Sequence, residues 1–291
     1  MKLSIFTVST PDLTPEALAQ AAKAAGFHGI EWRYKEVPEE AKNEAPSFWR
    51  NNLCSISPFG GEAELERFKQ ITAESGLQTV SVTPYLTSGD LEATESVLQA
   101  ARYMNASMIR LGIPAYNRSR HFNELFEQSR AYLREAAALC KQYGIKGVIE
   151  THHHTIAPSA SSAYRLVEGL DPEAVGVLYD PGNMVHEGYE NHRMGLELLG
   201  PYLAHVHVKN AGWFQSHDSK GEGTATSPVE WVSQWAGLQA GIVQWKPFIS
   251  DLRSVGYTGY LGLEDFSGQF DSVAMLNYYA ERMNTLLNEE L

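Results

Sequence analysis

The sequence predicts an α/β fold, a single (β/α)8 TIM barrel, from three observations. Eight short apolar runs alternate with helical patterns along the 291 residues, which is the order that a parallel sheet with crossover helices requires. The length also suits one barrel, since such barrels commonly take roughly 250 residues. A doubly wound open sheet has a similar rhythm, but no Gly-rich dinucleotide fingerprint follows any run. We therefore expect residues 1–291 to form one barrel domain.

The alternation can be followed element by element. Apolar runs predict strands at residues 3–9, 29–34, 79–85, 107–113, 146–152, 175–180, 203–210 and 260–264. Apolar residues at helical spacing predict helices at residues 14–25, 62–75, 91–104, 120–143, 159–168 and 247–255, a short helix containing 196–199, and a closing helix after Asp271. The longest helix is predicted to end at Gly144, because glycine accepts the left-handed conformation that terminates helices.

Two long segments interrupt this alternation. Residues 35–60 contain three prolines and end in Gly60, which Gly61 follows at once. This composition predicts a long loop that could form a lid. Residues 211–244 contain five glycines and four large aromatic residues: Trp213, Phe214, Trp231 and Trp235. These aromatic side chains either pack on the apolar faces of sugars, or pack within an inserted hairpin or a subunit interface.

Composition excludes several classes of protein. The net charge of −12 opposes binding to the phosphate backbone of nucleic acids. No apolar run approaches the roughly 18 residues that cross a bilayer, and no cleavable leader is apparent, so we expect a cytoplasmic protein with no membrane contact. The two cysteines, Cys54 and Cys140, lack metal-type spacing and are expected to be reduced. Homo-oligomerisation is left open.

The predicted strand at residues 203–210 carries an unusual set of side chains. Alternate residues of a strand share a face, so His205, His207 and Lys209 point to one side and three apolar residues to the other. This arrangement is typical of the inner mouth of a parallel barrel. A pair of histidines in H-x-H is by itself a weak metal signal, and a half-exposed strand with solvated histidines is the alternative.

Each of the last four predicted strands ends in a potential metal ligand with inward parity: Glu150, Asp180, His207 and Glu264. Carboxylates that meet at the carboxyl ends of barrel strands repel one another unless a cation neutralises them. The sequence therefore predicts a divalent metal site. Taken alone, Asp180 is a good turn residue, and His205, which lies one layer deeper than His207, is expected to orient a ligand rather than to bind the metal.

These motifs also resemble a known family. Glu in E-x-H, Asp in D-P-G-N, the second His of H-V-H-V-K, and Glu in G-Y-x-G-x-L-G-L-E are similar to motifs of the xylose-isomerase-like barrel superfamily, within it the sugar-phosphate isomerase/epimerase group. The resemblance covers nearly the whole chain and implies four ligands of one divalent metal: Glu150, Asp180, His207 and Glu264. It also implies three residues that face the substrate: Arg110, His152 and Asn183.

The chain departs from that family pattern in three respects. Members with sugar 3-epimerase activity tend to have histidine three residues after the metal-binding aspartate, where this chain has Asn183. They also have an arginine after the seventh-strand histidine, which has no clear counterpart here. The segment at 211–244 is longer than the resemblance implies. The reaction itself is therefore less constrained than the metal site.

The donor set of three carboxylates and one imidazole favours Mn²⁺, with Mg²⁺, Co²⁺ and Zn²⁺ as alternatives. The leading hypothesis is a sugar isomerase or epimerase in which the metal stabilises an enediolate and Glu150 and Glu264 move the protons. Further candidates for binding the sugar or polyol substrate are Glu31, Lys209 and Trp213. The alternatives are a lyase or dehydratase on keto-sugars or inososes, an endonuclease on abasic DNA, and a non-catalytic sugar-binding protein.

Overall fold

The computed structural model describes residues 1–216 and 229–289. Within them the strands are β1 Lys2–Phe6, β2 Gly29–Tyr34, β3 Ser55–Ile56, β4 Gln78–Pro84, β5 Met108–Arg110, β6 Lys146–Glu150, β7 Val175–Tyr179, β8 Leu203–Val208, β9 Asn210–Gln215, β10 Trp231–Ala236 and β11 Tyr260–Leu263. The helices are α1 Pro15–Ala25, α2 Gly61–Glu74, α3 Leu91–Tyr103, α4 Phe122–Tyr143, α5 Ala160–Val167, α6 Pro181–Glu187, α7 His192–Leu199, α8 Trp245–Ser254 and α9 Ser272–Asn288.

Eight parallel strands close into a barrel, which confirms the predicted fold. Their order around the barrel is β1, β2, β4, β5, β6, β7, β8 and β11, and β1 pairs in parallel with both β2 and β11. The short strand β3 adds to the edge of β2 near its carboxyl end. The strands β9 and β10 form a separate antiparallel hairpin. Among the helices of the described residues, none combines the length and apolar character that crossing a bilayer requires.

Two apolar layers hold the barrel together. The outer layer lies between the strands and the surrounding helices and contains most of the buried hydrophobic side chains, including both free cysteines. A small inner plug fills the barrel axis with Val80, Met108, Val148 and Leu178. Val148 and Leu178 lie two residues before Glu150 and Asp180, so on each strand the plug lies one inward-facing position below the polar end. The polar residues at the strand ends therefore lie directly above an apolar layer inside the barrel.

The helix termini follow local sequence signals. Thr14 caps α1 by accepting a hydrogen bond from the Ala17 amide, and Pro15 occupies the first helical position. The same helix ends at Gly26 with φ of 92°, and α4 ends at Gly144 with φ of 67°, as predicted from the glycine.

The sequence placed several boundaries incorrectly. The strands predicted at 3–9, 107–113 and 146–152 end early, at Phe6, Arg110 and Glu150, because the following residues form the loops over the barrel mouth. The helix α6 was not predicted, because it has only seven residues and begins with Pro-Gly. The segment expected as irregular at 211–244 contains most of the hairpin, while residues 217–228 lie outside the described residues.

His192, the first residue of α7, makes folding stability depend on pH. Its ring packs edge-on against Phe248, its Nδ1 lies 2.8 Å from the Tyr179 hydroxyl oxygen, and burial lowers its pKa from 6.5 to about 4. The unfolded chain therefore binds this proton from about pH 6.5 and the folded chain only near pH 4. His192 thus contributes full stability above pH 6.5 and lowers stability as the pH falls toward 4.

We expect the free energy of unfolding of the wild type to fall by about 2 kcal/mol more than that of His192→Gln between pH 7 and pH 5. Glutamine can still hydrogen-bond to Tyr179 but does not titrate. Urea titrations at both pH values provide the measurement. Equal losses in the two proteins would show that His192 does not contribute to acid sensitivity.

Candidate metal centre

The four predicted metal ligands converge at the carboxyl end of the barrel. Glu150 is the last residue of β6, Asp180 and Glu264 directly follow β7 and β11, and His207 lies near the end of β8. One potential ligand atom from each lies within 4.8 Å of all the others, and all four residues are buried. The Nδ1 atom of His207 lies 3.4–3.6 Å from one oxygen of each of the three carboxylates.

This geometry fits a divalent cation. His207 Nδ1 is buried and has no hydrogen-bond partner, so its lone pair is available to a ligand. Atoms that share one ion at bond lengths of about 2.0–2.3 Å lie roughly 3–3.5 Å apart, close to the separations found here. Three buried carboxylates beside an imidazole also form the mainly oxygen donor set that hard divalent ions prefer. The residues present therefore fit a metal.

Glu31 lies beneath this cluster and orients His207. Its Oε2 lies 3.1 Å from His207 Nε2, and its Oε1 lies 3.0 Å from His205 Nε2 and accepts a 2.7 Å hydrogen bond from Ser4 Oγ. Burial alone would raise the pKa of Glu31, but His205 and His207 hold it well below its usual range. A carboxylate here keeps the proton of His207 on Nε2 and leaves Nδ1 free to bind metal.

Two glycines make this packing possible. A Cβ atom at Gly262 would lie 2.2 Å from Glu31 Oε1, and one at Gly182 would lie 2.7 Å from the backbone of Lys209. Any larger residue would displace the carboxylate under the site in the first case and the carboxyl end of β8 in the second. The glycines of L-G-L-E and D-P-G-N therefore provide space next to the metal centre.

Arg110 and Asn183 hold Glu150 from both sides. Arg110 Nη1 donates a 2.6 Å hydrogen bond to Glu150 Oε2, and Asn183 Nδ2 donates 3.0 Å bonds to Glu150 Oε1 and Asp180 Oδ2. Burial would raise the pKa of Glu150, but Arg110 outweighs that effect and holds it well below the usual range. Asp180 caps α6 by accepting a 2.8 Å bond from the Asn183 amide, which fixes its direction. Glu150 and Asp180 are therefore oriented as ligands.

Lys209 places a buried ammonium beside the carboxylates. Its Nζ lies 2.8 Å from Asp180 Oδ2, contacts Glu264 Oε2, and donates a 3.0 Å hydrogen bond to Asn183 Oδ1. Burial would lower the pKa of this lysine, but the charges of Asp180 and Glu264 raise it above its usual value. The side chain is thus protonated at neutral pH.

A cavity of about 500 Å³ opens above the cluster. Its polar side contains Arg110, Glu150, His152, Asn183, Lys209 and Glu264, and its apolar side includes Trp49, Tyr85, Trp235 and Phe266. The Nδ1 of His152 lies 2.7 Å from the backbone oxygen of His153, so this nitrogen carries the hydrogen and donates it. In the neutral form of this ring, the basic lone pair therefore lies on Nε2.

Two of the residues expected to bind substrate lie elsewhere. Glu31 faces inward as its parity predicts, but it lies in the middle of β2 rather than at its end, and so contacts His207 from below. Trp213 lies outside the cavity, where its Nε1 donates a 2.8 Å bond to the Val185 carbonyl. The hairpin register places Trp235 opposite Ala211, nearer the barrel, and it is Trp235 that lines the cavity.

The sequence did not identify three other cavity residues. Tyr85 and Phe266 follow β4 and β11 closely, so their position after a strand end was a usable signal. Trp49 lies in the long loop before β3, where no periodic pattern points to the cavity.

We expect His207→Ala to lower metal affinity by more than about 100-fold, since it removes a nitrogen donor at the centre of the cluster. His205→Ala is expected to lower affinity by about tenfold or less and to act mainly on thermal stability, because His205 contacts Glu31 and the ring of His207 and is not itself one of the four candidate ligands. Calorimetric titration with Mn²⁺ and thermal unfolding of both variants provide the measurement. Equal losses of metal affinity would contradict this ranking.

The fold and site define a (β/α)8 barrel with a cluster of candidate metal ligands at the carboxyl ends of its strands. A family model described as a xylose isomerase-like TIM barrel matches residues 19–287, and the chain belongs to that family. An inosose dehydratase from Geobacillus kaustophilus is 36% identical over 81 residues, which are 27% of this chain and 25% of that protein. The chain thus matches about a quarter of that relative's length.

Two solved structures show the same fold. One, described as the IOLI protein with a bound zinc atom, superposes with a TM-score of 0.73 at 14% identity and covers 100% of both chains. Another, described as a D-tagatose 3-epimerase-like protein, has a TM-score of 0.69 at 14% identity and covers 99% of this chain and 97% of that one. The relative from Geobacillus kaustophilus is thus named a dehydratase, and the candidate metal ligands of this chain are consistent with the zinc named in the description of the first structure.

Proposed function

We propose that the protein is a divalent-metal-dependent lyase that removes a proton next to the carbonyl of a polyhydroxy ketone and expels the oxygen substituent one carbon further along. It acts as a dehydratase when that substituent is a hydroxyl. The observation that carries the proposal is that the imidazole of His152, whose Nδ1 faces a backbone carbonyl, and the ammonium of Lys209 line the same cavity above the candidate metal ligands. Elimination needs one base and one acid, and these residues supply them.

The ligands Glu150, Asp180, His207 and Glu264 would hold the ion, and we favour Mn²⁺ from the donor set. When bound, a divalent ion supplies Lewis-acid polarisation of the substrate carbonyl. Arg110, Asn183 and Glu31 keep the ligand atoms directed at one point, as their hydrogen bonds indicate. Small sugars, ketoses and inososes have the adjacent oxygens that such a site binds.

His152 is the base in this proposal. Its Nδ1 hydrogen is engaged by the His153 carbonyl, so Nε2 accepts the proton from the carbon next to the carbonyl. The electron pair of that C–H bond forms the new C=C bond of the product, and the C–O bond to the leaving oxygen breaks. That oxygen takes a proton from Lys209 and leaves as water or an alcohol. The reaction involves no net oxidation and requires no further reactant.

Isomerisation or epimerisation, the function favoured by the sequence, requires a second base on the opposite face of the substrate. Glu150 is held on both oxygens by Arg110 and Asn183, and Glu264 is paired with Lys209. These contacts suit ligands better than proton carriers, so we place the isomerase second. It shares the first proton removal with the lyase.

A nuclease with several metal ions is less well supported. Within residues 1–216 and 229–289, two groups of side chains could hold a metal, and both include His207. The Nε2 atom of His207 faces Glu31, so His207 has only Nδ1 to offer a metal, and Nδ1 belongs to the group that contains Glu150, Asp180 and Glu264. The described residues therefore supply one metal site, not three, and the net charge of −12 opposes a nucleic acid partner.

The test is incubation of the Mn²⁺-loaded protein in D₂O with a panel of ketoses, inososes and keto-glycosides. We expect deuterium to enter at the carbon next to the carbonyl and an unsaturated ketone to accumulate. The ketone is measured by its ultraviolet absorbance. A stereoisomer formed without loss of water or alcohol would identify an isomerase instead. Absence of exchange with every ketone, with metal bound, would leave a sugar-binding protein.

A further inference from the structure

We propose that the cavity contains an aromatic subsite, formed by Trp49, Trp235 and Phe266, that binds a ring attached to the leaving oxygen of the substrate. The preferred substrates are then keto-glycosides or related ethers with a ring-bearing leaving group, rather than free ketoses. This inference rests on the proposed lyase function and specifies its substrate class.

The three rings form one continuous wall. The ring centroids of Trp49 and Phe266 lie 5.0 Å apart, and those of Trp235 and Phe266 lie 5.7 Å apart. They come from three separate parts of the chain: the loop before β3, the strand β10 and the loop after β11. All three line the cavity, and Trp49 remains 51% exposed. Large aromatic side chains exposed in a cavity present apolar faces that a ligand can cover.

The position of Lys209 connects this wall to the reaction. Its Nζ lies 5.0 Å from the centre of the Trp235 ring and 5.2 Å from that of Phe266. An oxygen that lies within hydrogen-bond distance of Nζ, as proposed for the leaving oxygen, places any group attached to it next to these two rings. A departing hydroxyl would leave the wall uncovered, whereas a pyranose or aryl ring would pack on it.

The size of the cavity agrees with a two-part substrate. A six-carbon polyol has about twelve heavy atoms and occupies roughly 150–200 Å³ at the packing density of organic solids. The cavity volume of about 500 Å³ leaves room for a second ring of similar size. The two long segments that interrupt the barrel alternation supply Trp49 and Trp235, so they build the part of the cavity that a free ketose does not need.

The reaction balances without another reagent. In a 3-keto-glucoside the anomeric oxygen lies one carbon beyond the carbon next to the carbonyl. His152 takes the proton from that adjacent carbon, a C=C bond forms, and the bond between the anomeric carbon and its oxygen breaks. The oxygen receives a proton from Lys209, giving an unsaturated ketone and an alcohol.

The first test compares the phenyl, glucosyl and methyl 3-keto-β-D-glucopyranosides. We expect kcat/KM for the phenyl and for the glucosyl compound to exceed that for the methyl compound by at least about tenfold. Because phenol is also a better leaving group than methanol, the ratio of the glucosyl to the methyl compound is the decisive comparison. Trp235→Ala and Trp49→Ala should reduce this preference to about twofold while retaining deuterium exchange. Trp231→Ala is the matched control, since this tryptophan lies on the same hairpin, is 57% exposed and does not line the cavity. It should keep the full preference.

The second test does not depend on catalysis. Phenyl β-D-glucopyranoside lacks a ketone, so calorimetry measures its binding alone, with the methyl glucoside as reference. We expect phenyl binding to exceed methyl binding in the wild type and in Trp231→Ala, and to weaken by about tenfold in Trp235→Ala. If the phenyl glucoside binds in this pattern but no ketone exchanges deuterium, the aromatic subsite is supported and the lyase function is overturned. Exchange without any preference for rings would overturn the subsite and leave the lyase intact.

Discussion

Replacing His152 with asparagine is expected to lower turnover by about 10²–10⁴-fold while metal affinity stays within about threefold of the wild type. Asparagine keeps a side-chain donor for the His153 carbonyl but has no basic nitrogen, so it removes the proton acceptor with little change in shape. Deuterium exchange next to the carbonyl should fall by the same factor as product formation, because both follow proton removal. Exchange is measured by nuclear magnetic resonance and metal affinity by calorimetry.

His154→Asn is the control for this prediction. His154 is two residues away in the same loop, pairs with Glu187 and has a side chain that is 74% exposed. Its φ of 57° is a conformation that asparagine accepts readily. The control should keep wild-type turnover. Full turnover of His152→Asn with metal bound would exclude His152 as the base and return that role to Glu150 or Glu264.

The convergence of the four candidate metal ligands could be predicted because parity and strand position are local properties. Alternation in β6 and β8 assigns Glu150 and His207 to the inner face, and parallel strands bring their carboxyl ends to one rim. The sequence also placed His205 below His207, and the structure shows it there, in contact with Glu31. Parity does not tell how far along the barrel axis an inward-facing side chain lies. Glu31 shares the inner face, but its distance from the end of β2 places it under the metal centre.

The proposed assignment of proton transfer to His152 and Lys209, and the recognition of the aromatic wall, required the structure. The contacts between Arg110 and Glu150, and between Lys209 and Glu264, join strands whose separation in sequence says nothing about side-chain distance. Because these contacts occupy oxygens of both glutamates, His152 is the better candidate for the base. Trp49 is an extreme case, since it lies in a loop without periodicity and reaches the cavity only because that loop folds over the barrel mouth.

Replacing Lys209 with methionine is expected to separate the two halves of the proposed reaction. Methionine has a similar length and fills the same buried space beside Trp235 and Phe266, but it has no proton to donate. Loss of water or alcohol should fall by at least about 10²-fold. Deuterium exchange should persist within about tenfold of the wild type, because His152 still removes the proton. Exchange and product are measured in the same sample over time.

A leaving group that departs as a stable anion provides the control for this variant. The 4-nitrophenyl 3-keto-glucoside releases 4-nitrophenolate, which needs no proton, so Lys209→Met should retain most of its activity on this compound. The ammonium also pairs with Asp180 and Glu264, and its loss can change metal affinity, which calorimetry measures separately. If the alkyl and 4-nitrophenyl compounds slow by the same factor at saturating metal, Lys209 orients the carboxylates and does not protonate the leaving oxygen. A selective loss with the alkyl compound is the outcome that assigns the proton to Lys209.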